Sequence, residues 1–227
     1  MKKIVVALDG NSGCGKSSTA KVLARRLKFI YIDTGAMYRA VTLFFIKNKV
    51  DIKNDLDVEQ ALKEVDISFV YNIESGKNET FLNGKNVEAE IRGMEVSNMV
   101  SPVSEISRVR KKLVEQQRRL GEGNNVVMDG RDIGTVVFPH ADLKIFMTAD
   151  LEVRAQRRQK ELKEQGVEVP LTEVIDNLRN RDVIDSSRKD SPLRQAPDAH
   201  VVDTSLLTFD QQVEHILRLI EEKVCIE

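Results

Sequence analysis

Gly10-Asn11-Ser12-Gly13-Cys14-Gly15-Lys16-Ser17 follows directly on the apolar run Ile4–Leu8 and reads G-x-x-x-x-G-K-S. The pattern calls for a strand before it and a helix after it. Its glycines let the backbone wrap tightly enough for successive N–H groups to face phosphate oxygens. Lys16 places one cation on the β- and γ-phosphates, and the Ser17 hydroxyl is a ligand for Mg²⁺. Ala20, Leu23, Ala24 and Leu27 then recur at helical spacing. A helix N-terminus therefore adds its dipole to the anion site. The stretch from Gly10 to Ser18, Ser18 included, is the candidate nucleotide cradle, with Ser17 as candidate metal ligand.

Strand-like runs appear at Lys3–Leu8, Phe29–Ile32, Asn125–Met128, Leu143–Met147 and His200–Val202. Helical patterns lie between them at Lys16–Lys28, Ala36–Asn48, Glu105–Leu120, Leu151–Gln165 and Phe209–Val224. Asp150 is placed to cap the fourth, and Thr208 with Gln211 makes a capping box at the start of the last. Alternation of this kind predicts an α/β fold: a parallel five-stranded sheet flanked by helices in three layers, with ligands beyond the carboxyl ends of the strands. Asp33-Thr34-Gly35, Asp129-Gly130-Arg131-Asp132 and Asp203-Thr204 all fall at those ends.

Two stretches break the rhythm. Ile67–Tyr71, Thr80–Leu82 and Lys85–Val87 read as short antiparallel strands with an Asn83-Gly84 turn, a β insertion at roughly residues 63–93. It is either a surface ornament or a substrate clamp. The stretch Gly166–Pro197 is charged, punctuated by proline and read as irregular. Beside a nucleotide site such a segment is a candidate lid that brings arginines onto the reaction. The expected organisation is one domain over 1–227, with a core of 1–62 and 101–227, an insertion at about 63–100 and a lid at about 150–190.

Formal charge is −1, so the chain has no overall basic signature for nucleic acid. With no Trp and 5% aromatic residues, stacking on bases is also disfavoured. Of the 17 arginines, 12 lie between Arg108 and Arg194. Arginine suits solvated helix faces, but a site gathering two phosphate-bearing molecules also needs many fixed, bidentate cations. Cys14 and Cys225 lie far apart without metal spacing, and the start Met1-Lys2-Lys3 lacks the features of a signal peptide. No apolar run is long enough to span a bilayer. A cytoplasmic monomer is the expectation, with no nucleic-acid or membrane partner.

No N-K-x-D segment reads guanine, and no further signature of a motor ATPase is evident. Kinases of neutral alcohols favour a positioned carboxylate to help the acceptor lose its proton. The phosphate of a nucleoside monophosphate is already largely anionic at neutral pH, since its second pKa is near ~6. Such an acceptor needs positioning and charge neutralisation more than a base. Clustered arginines, with His140, His200 and His215 all outside the motifs, fit the second case better. A nucleotide sensor is the rival of another class; it could lose the transfer residues and keep the cradle.

Asp33-Thr-Gly-Ala-Met-Tyr-Arg39 and Asp129-Gly-Arg-Asp-Ile-Gly-Thr-Val-Val-Phe-Pro139 closely resemble the bacterial cytidylate kinases (CMP kinases). The order of motifs agrees: the phosphate loop, the β insertion, Ser101-x-Val103 with Val109-Arg110, Arg154-x-x-Arg157-Arg158, and Arg181-Asp182-x-x-Asp185-x-x-Arg188. The likeness runs from Lys3 to about Leu219. It implies a P-loop NTPase fold with a nucleoside-monophosphate-binding insertion and a lid, and transfer of the ATP γ-phosphoryl to CMP or dCMP with Mg²⁺. Matched motif by motif, Ser101, Arg110 and Asp132 would read the cytosine ring. Arg181 and Asp185 would hold the sugar hydroxyls, and Arg39, Arg131 and Arg188 the acceptor phosphate and transferring group. Thr34 joins the CMP-binding set. Lys16, Arg39, Arg131 and Arg188 form the catalytic set, and Arg157 is added to the ATP-binding residues. A carboxylate suits the N4 amino donor of cytosine, and an Arg with a hydroxyl suits its acceptors. Uracil reverses that pattern, so discrimination against UMP is expected. Asp129, closing an apolar strand, either holds Mg²⁺ through water or anchors the Gly130–Gly134 turn. Asp33 is open between the Mg²⁺ shell and a helix cap. Arg154, Arg157 and Arg158 lie either near ATP or on a solvated face.

Overall fold

Val5–Leu8 is apolar without alternation, as a strand covered on both faces must be, and it runs through the middle of the main sheet. The computed structural model describes residues 3–72, 77–164 and 166–224. Among these the elements begin with β1 (Val5–Gly10), α1 (Lys16–Leu27), β2 (Ile30–Asp33), α2 (Thr34–Lys47) and α3 (Asp55–Glu64). There follow β3 (Ile67–Asn72), β4 (Lys77–Leu82), β5 (Lys85–Asn86), a 3₁₀ turn (Glu90–Arg92), α4 (Met94–Glu105) and α5 (Ser107–Gly121). The chain continues with β6 (Val126–Gly130), a π-type turn (Ile133–Val137), β7 (Leu143–Thr148), α6 (Leu151–Glu164), α7 (Leu171–Ser187), β8 (His200–Asp203) and α8 (Phe209–Val224). Gln165, Cys225 and the opening Met1-Lys2, on which parts of the sequence reading fell, lie outside the described residues.

The chain divides into two compact units: Met1–Ile32 with Arg118–Glu227, and Asp33–Gln117. The first holds the five-stranded sheet in the order β2-β6-β1-β7-β8, with β1 parallel to both β6 and β7 and β7 parallel to β8. Inward residues of β1, β6 and β7 (Val6, Leu8, Val127, Ile145, Met147) pack against Ala20, Leu23 and Ala24 of α1 and Val213, Ile216 and Ile220 of α8. Each such side chain contributes on the order of 1.5–3 kcal/mol by leaving water. The Thr208–Gln211 box forms as expected: Thr208 N–H donates to Gln211 Oε1 at 2.9 Å and Gln211 N–H to Thr208 Oγ1 at 3.3 Å.

In the second unit α2 packs against α4, the 3₁₀ turn and β4. β3, β4 and β5 form the expected antiparallel sheet. Asn83 and Gly84 turn the hairpin at φ 49° and 75°, the left-handed pair of a type I′ turn.

Three helices depart from the sequence reading. The stretch 166–197 is not irregular throughout, because 17 of its residues form α7. Only Val174, Leu178 and Asp185 of that helix are buried, too thin an apolar stripe to stand out among its charged and polar residues, and Pro170 stands at its N-cap. Helix α3, capped by the Asn54 side chain on the Leu56 and Asp57 N–H groups, is also unforeseen. So is α4, whose internal Pro102 reads as a breaker. Ile106, extended at ψ 114°, separates α4 from α5, so the helix expected from Glu105 begins at Ser107.

Candidate active site

In the first unit, the phosphate loop links the end of β1 to the start of α1, which begins at Lys16. Lys16 is buried, and its Nζ donates to the Asn11 carbonyl within the same loop. Burial pulls the ammonium below its ordinary pKa, with Arg131 adding to the shift and Cys14 and Asp129 opposing it. Asn11, Ser12, Gly13, Gly15 and Ser17 are half-buried, Cys14 is enclosed, and Ser18 is exposed. The Cys14 thiol donates to the Asn11 carbonyl at 3.1 Å.

Ser17 Oγ donates to Asp129 Oδ2 at 2.7 Å, and Tyr31 OH donates to Asp129 Oδ1 at 2.8 Å. A helix N-terminal hydroxyl and a strand-terminal carboxylate side by side are the hard oxygens that suit Mg²⁺ held mainly by nucleotide phosphates. The Gly130–Gly134 turn is held by a different acid. Asp9 accepts from Ile133 N–H and Gly134 N–H, both at 2.7 Å. Neither Tyr31 nor Asp9 was singled out from the sequence; an acid immediately before the first glycine of the loop was the available signal.

Buried Asp132, Asp185 and Arg188 form one cluster in this unit with half-buried Arg131. Arg131 Nε donates to Asp185 Oδ2 at 2.7 Å. Arg188 lies 3.7 Å from Asp185 Oδ1 and 3.9 Å from Asp132 Oδ1, and its Nε donates to the Ser191 carbonyl at 2.7 Å. Burial alone would raise the Asp185 pKa, but Arg131, then Arg181 and Arg188, hold it below the ordinary value. Burial likewise opposes the charge on Arg131, and Asp185 more than restores it. Arg181 stands one helical turn before Asp185 on α7.

The three arginines of α6 separate cleanly. Arg154 is buried; it donates to the Ala149 and Ser12 carbonyls at 2.9 and 3.2 Å and pairs with Asp182 at 2.8 Å. It therefore ties the phosphate loop to α7. Arg157 donates to Thr204 Oγ1 and to the Thr204 carbonyl at 3.0 and 2.6 Å. Arg158 pairs with Glu161 at 3.2 Å along the helix surface.

In the second unit, Asp33 caps α2 by accepting from Ala36 N–H at 2.8 Å. It also meets Arg39 Nη2 at 3.3 Å and Arg92 Nη2 at 3.0 Å. Burial would raise its pKa, and the two guanidiniums hold it far below the ordinary range. The cap is thus observed, and Arg92, which also pairs with Glu88 at 2.8 Å, is a member of this set missed in the sequence. Thr34 is buried at the first turn of α2. Ser101 is buried in α4, and Arg110 in α5 lies over the Tyr38 ring at 5.4 Å and donates to the Ser104 carbonyl at 3.1 Å.

These charges dictate a two-sided response to pH. Burial pushes Asp9 up to about 6 from 3.8, so protons bind the folded form more tightly between those values. Ionised Asp9 therefore subtracts stability above about pH 6, and the penalty is relieved as pH falls through that window. Asp33 and Asp185 are depressed, so their contribution is present above about 4 and lost as pH falls further. The thermal midpoint is expected to hold or rise from pH 7.5 to about 5 and drop steeply below about 4. A steady fall starting at pH 7 would contradict this assignment.

A sequence profile of the cytidylate kinase family matches residues 6–222. A cytidylate kinase of Cytophaga hutchinsonii is 53% identical over 219 residues, covering 96% of this chain and 94% of that one. A second, from Flavobacterium johnsoniae, is 50% identical and covers 100% of both chains. Among solved structures, a putative kinase from Chloroflexus aurantiacus superposes with a TM-score of 0.50 at 12% identity, over 99% of this chain and 100% of that one. Shikimate kinase from Acinetobacter baumannii gives a TM-score of 0.50 at 13% identity, over 99% and 97%. The two structures share the fold alone. The family match over nearly every residue, joined to relatives half identical from end to end, means that this chain belongs to the cytidylate kinase family.

Proposed function

We propose that the protein transfers the γ-phosphoryl group of ATP to CMP or dCMP, giving ADP and CDP or dCDP by in-line displacement. The observation that carries this reading is the cluster of buried Arg188, Asp132 and Asp185 with half-buried Arg131, whose charges balance one another within one unit. A phosphate acceptor calls for such fixed cations, and sugar and base donors call for such carboxylates. Membership of the family supports cytosine as the base.

The loop Gly10–Ser18 would hold the ATP phosphates, with the Lys16 ammonium on the β- and γ-oxygens. Ser17 and Asp129 would hold Mg²⁺, which, when bound, neutralises developing charge on the transferred group. Arg39, Arg131 and Arg188 orient the acceptor phosphate, whose oxygen attacks without a general base. Ser101, Arg110 and Asp132 read cytosine; Arg181 and Asp185 take the sugar hydroxyls; Thr34 lies with the acceptor set. Arg157 is assigned to ATP. The segment at about 150–190 serves as the lid that excludes water from the transfer. In this reading the enzyme works as a cytoplasmic monomer.

A coupled ADP-release assay with ATP and Mg²⁺ tests the proposal, offering CMP, dCMP, UMP, AMP and shikimate separately. Turnover with CMP and dCMP is expected to exceed that with UMP by about tenfold or more, the cost of one mispaired polar edge. Equal CMP and UMP rates would remove Asp132 from base reading. ATP binding without turnover on any acceptor would point to the sensor alternative.

A further inference from the structure

Asp9 is a buried carboxylate to which the mechanism above assigns nothing. It closes β1 beside Gly10, and only 5% of its surface is exposed. Both of its oxygens are used on one short piece of chain, Oδ1 by Ile133 N–H and Oδ2 by Gly134 N–H. Those two amides open the π-type turn Ile133–Val137, where early N–H groups have no partner within the turn itself. The turn supplies its own later bonds: Val136 N–H donates to the Asp132 carbonyl at 2.8 Å and Phe138 N–H to the Ile133 carbonyl at 2.7 Å. Asp9 is thus an N-cap supplied from a residue more than a hundred positions away.

The opposite side of the turn is closed too. A Cβ on Gly134 would stand 3.1 Å from Lys144 Cδ and 3.3 Å from Asp9 Oδ2. Lys144 cannot readily yield, because its Nζ is held by the Pro139 carbonyl at 2.6 Å and Asp198 at 2.9 Å. Gly134 is therefore gripped between the Asp9 carboxylate and the Lys144 stem. The residues entering the gripped segment are Arg131 and Asp132, which carry the acceptor chemistry. A bidentate acceptor fixes both the position and the rotation of the turn. Asparagine could not replace it, since its amide N–H₂ would face a second N–H.

We propose that Asp9 is a positioning residue, which locks the Arg131–Gly134 turn to the root of the phosphate loop and so sets the acceptor-binding groups. The inference rests on the acceptor reading given above. It separates binding of the two substrates: the loop grips ATP through residues beyond Asp9, whereas the acceptor residues hang on the bonds that Asp9 accepts.

The test compares wild type, Asp9→Asn and Gly134→Ala in the ADP-release assay, titrating CMP and ATP separately. Both variants are expected to raise KM for CMP and lower kcat, together costing about 10–100-fold in kcat/KM, the penalty of a small misplacement. KM for ATP should stay within about twofold of wild type. Hydrogen exchange at the Ile133 and Gly134 amides supplies a readout free of activity, and it should accelerate at least tenfold in Asp9→Asn while β1 amides stay protected. Unchanged CMP kinetics, or an equal loss for ATP and CMP, would overturn the role of Asp9. Should Asp9→Asn fail to fold, Gly134→Ala, which disturbs the same turn from the other side, decides on the same criterion. Absence of CMP turnover in wild type would instead overturn the acceptor reading, and the exchange result would still judge the clamp.

Discussion

Replacing Arg188 by alanine is expected to lower turnover with CMP about a thousandfold while KM for ATP changes less than about threefold. Arg188 is buried at the exit of α7, where it leaves the helix at φ −57° and ψ 144°. Its guanidinium lies between two carboxylates, 3.7 Å from Asp185 and 3.9 Å from Asp132, and is anchored by Nε on the Ser191 carbonyl. A cation held this way costs no reorganisation when charge develops on the transferring phosphoryl group, which is the condition for large electrostatic effects. Alanine leaves Asp185 still paired with Arg131 at 2.7 Å, so the fold should survive with a loss of about 1–3 kcal/mol. Lysine keeps the charge without the planar fork and should recover only part of the rate. Arg179, exposed on the same helix and paired with Asp176, is the control: its alanine variant should behave as wild type. Steady-state kinetics on the three variants, with thermal midpoints alongside, decide the matter. Unchanged turnover in Arg188→Ala would remove that residue from the catalytic set.

The second large effect concerns the fold itself. Gly10→Ala is expected to cost about 4 kcal/mol or more, enough to lower the thermal midpoint by roughly 10–15 °C or abolish soluble expression. A Cβ built on Gly10 would stand 1.9 Å from the Met147 carbonyl oxygen and 2.9 Å from its carbon. Gly10 also sits at φ 143°, where L side chains are strained. The clash cannot be relieved by rotating a side chain, because the obstacle is backbone: Gly10 and Met147 are partners in the β1–β7 ladder. Either β7 moves or the root of the phosphate loop does. Circular dichroism melting of the purified variant reads the outcome, and a midpoint within a few degrees of wild type would show that the ladder end can open cheaply.

What could be read from the residues shares one property: the physics lies within a few consecutive positions. The phosphate loop, the Asn83-Gly84 hairpin and the Thr208–Gln211 capping box each depend on dihedral preference or on bonds spanning three residues. The order of strands and helices follows from apolar periodicity of the same short range, and with it the parallel sheet. Helix α7 escaped because its fully buried apolar stripe is reduced to Val174 and Leu178, while its charged residues resemble those of a loop.

The choices among open readings needed partners distant in sequence. Asp129 was equally fit to face a metal or to anchor a turn; its carboxylate meets Ser17, 112 positions away, and Asp9, 125 positions from Gly134, accepts from the turn's amides. Arg154, Arg157 and Arg158 are interchangeable by type and spacing, yet one ties the loop to α7, one meets Thr204 and one pairs with Glu161 along its own helix. Arg131 finds Asp185 across 54 residues. Sequence by itself determined which chemistry the chain carries and the order in which its elements form, because both are written in local spacing. Tertiary structure alone decided which charges meet, because a carboxylate's role is set by the donors that burial forces upon it, and those come from other strands and helices.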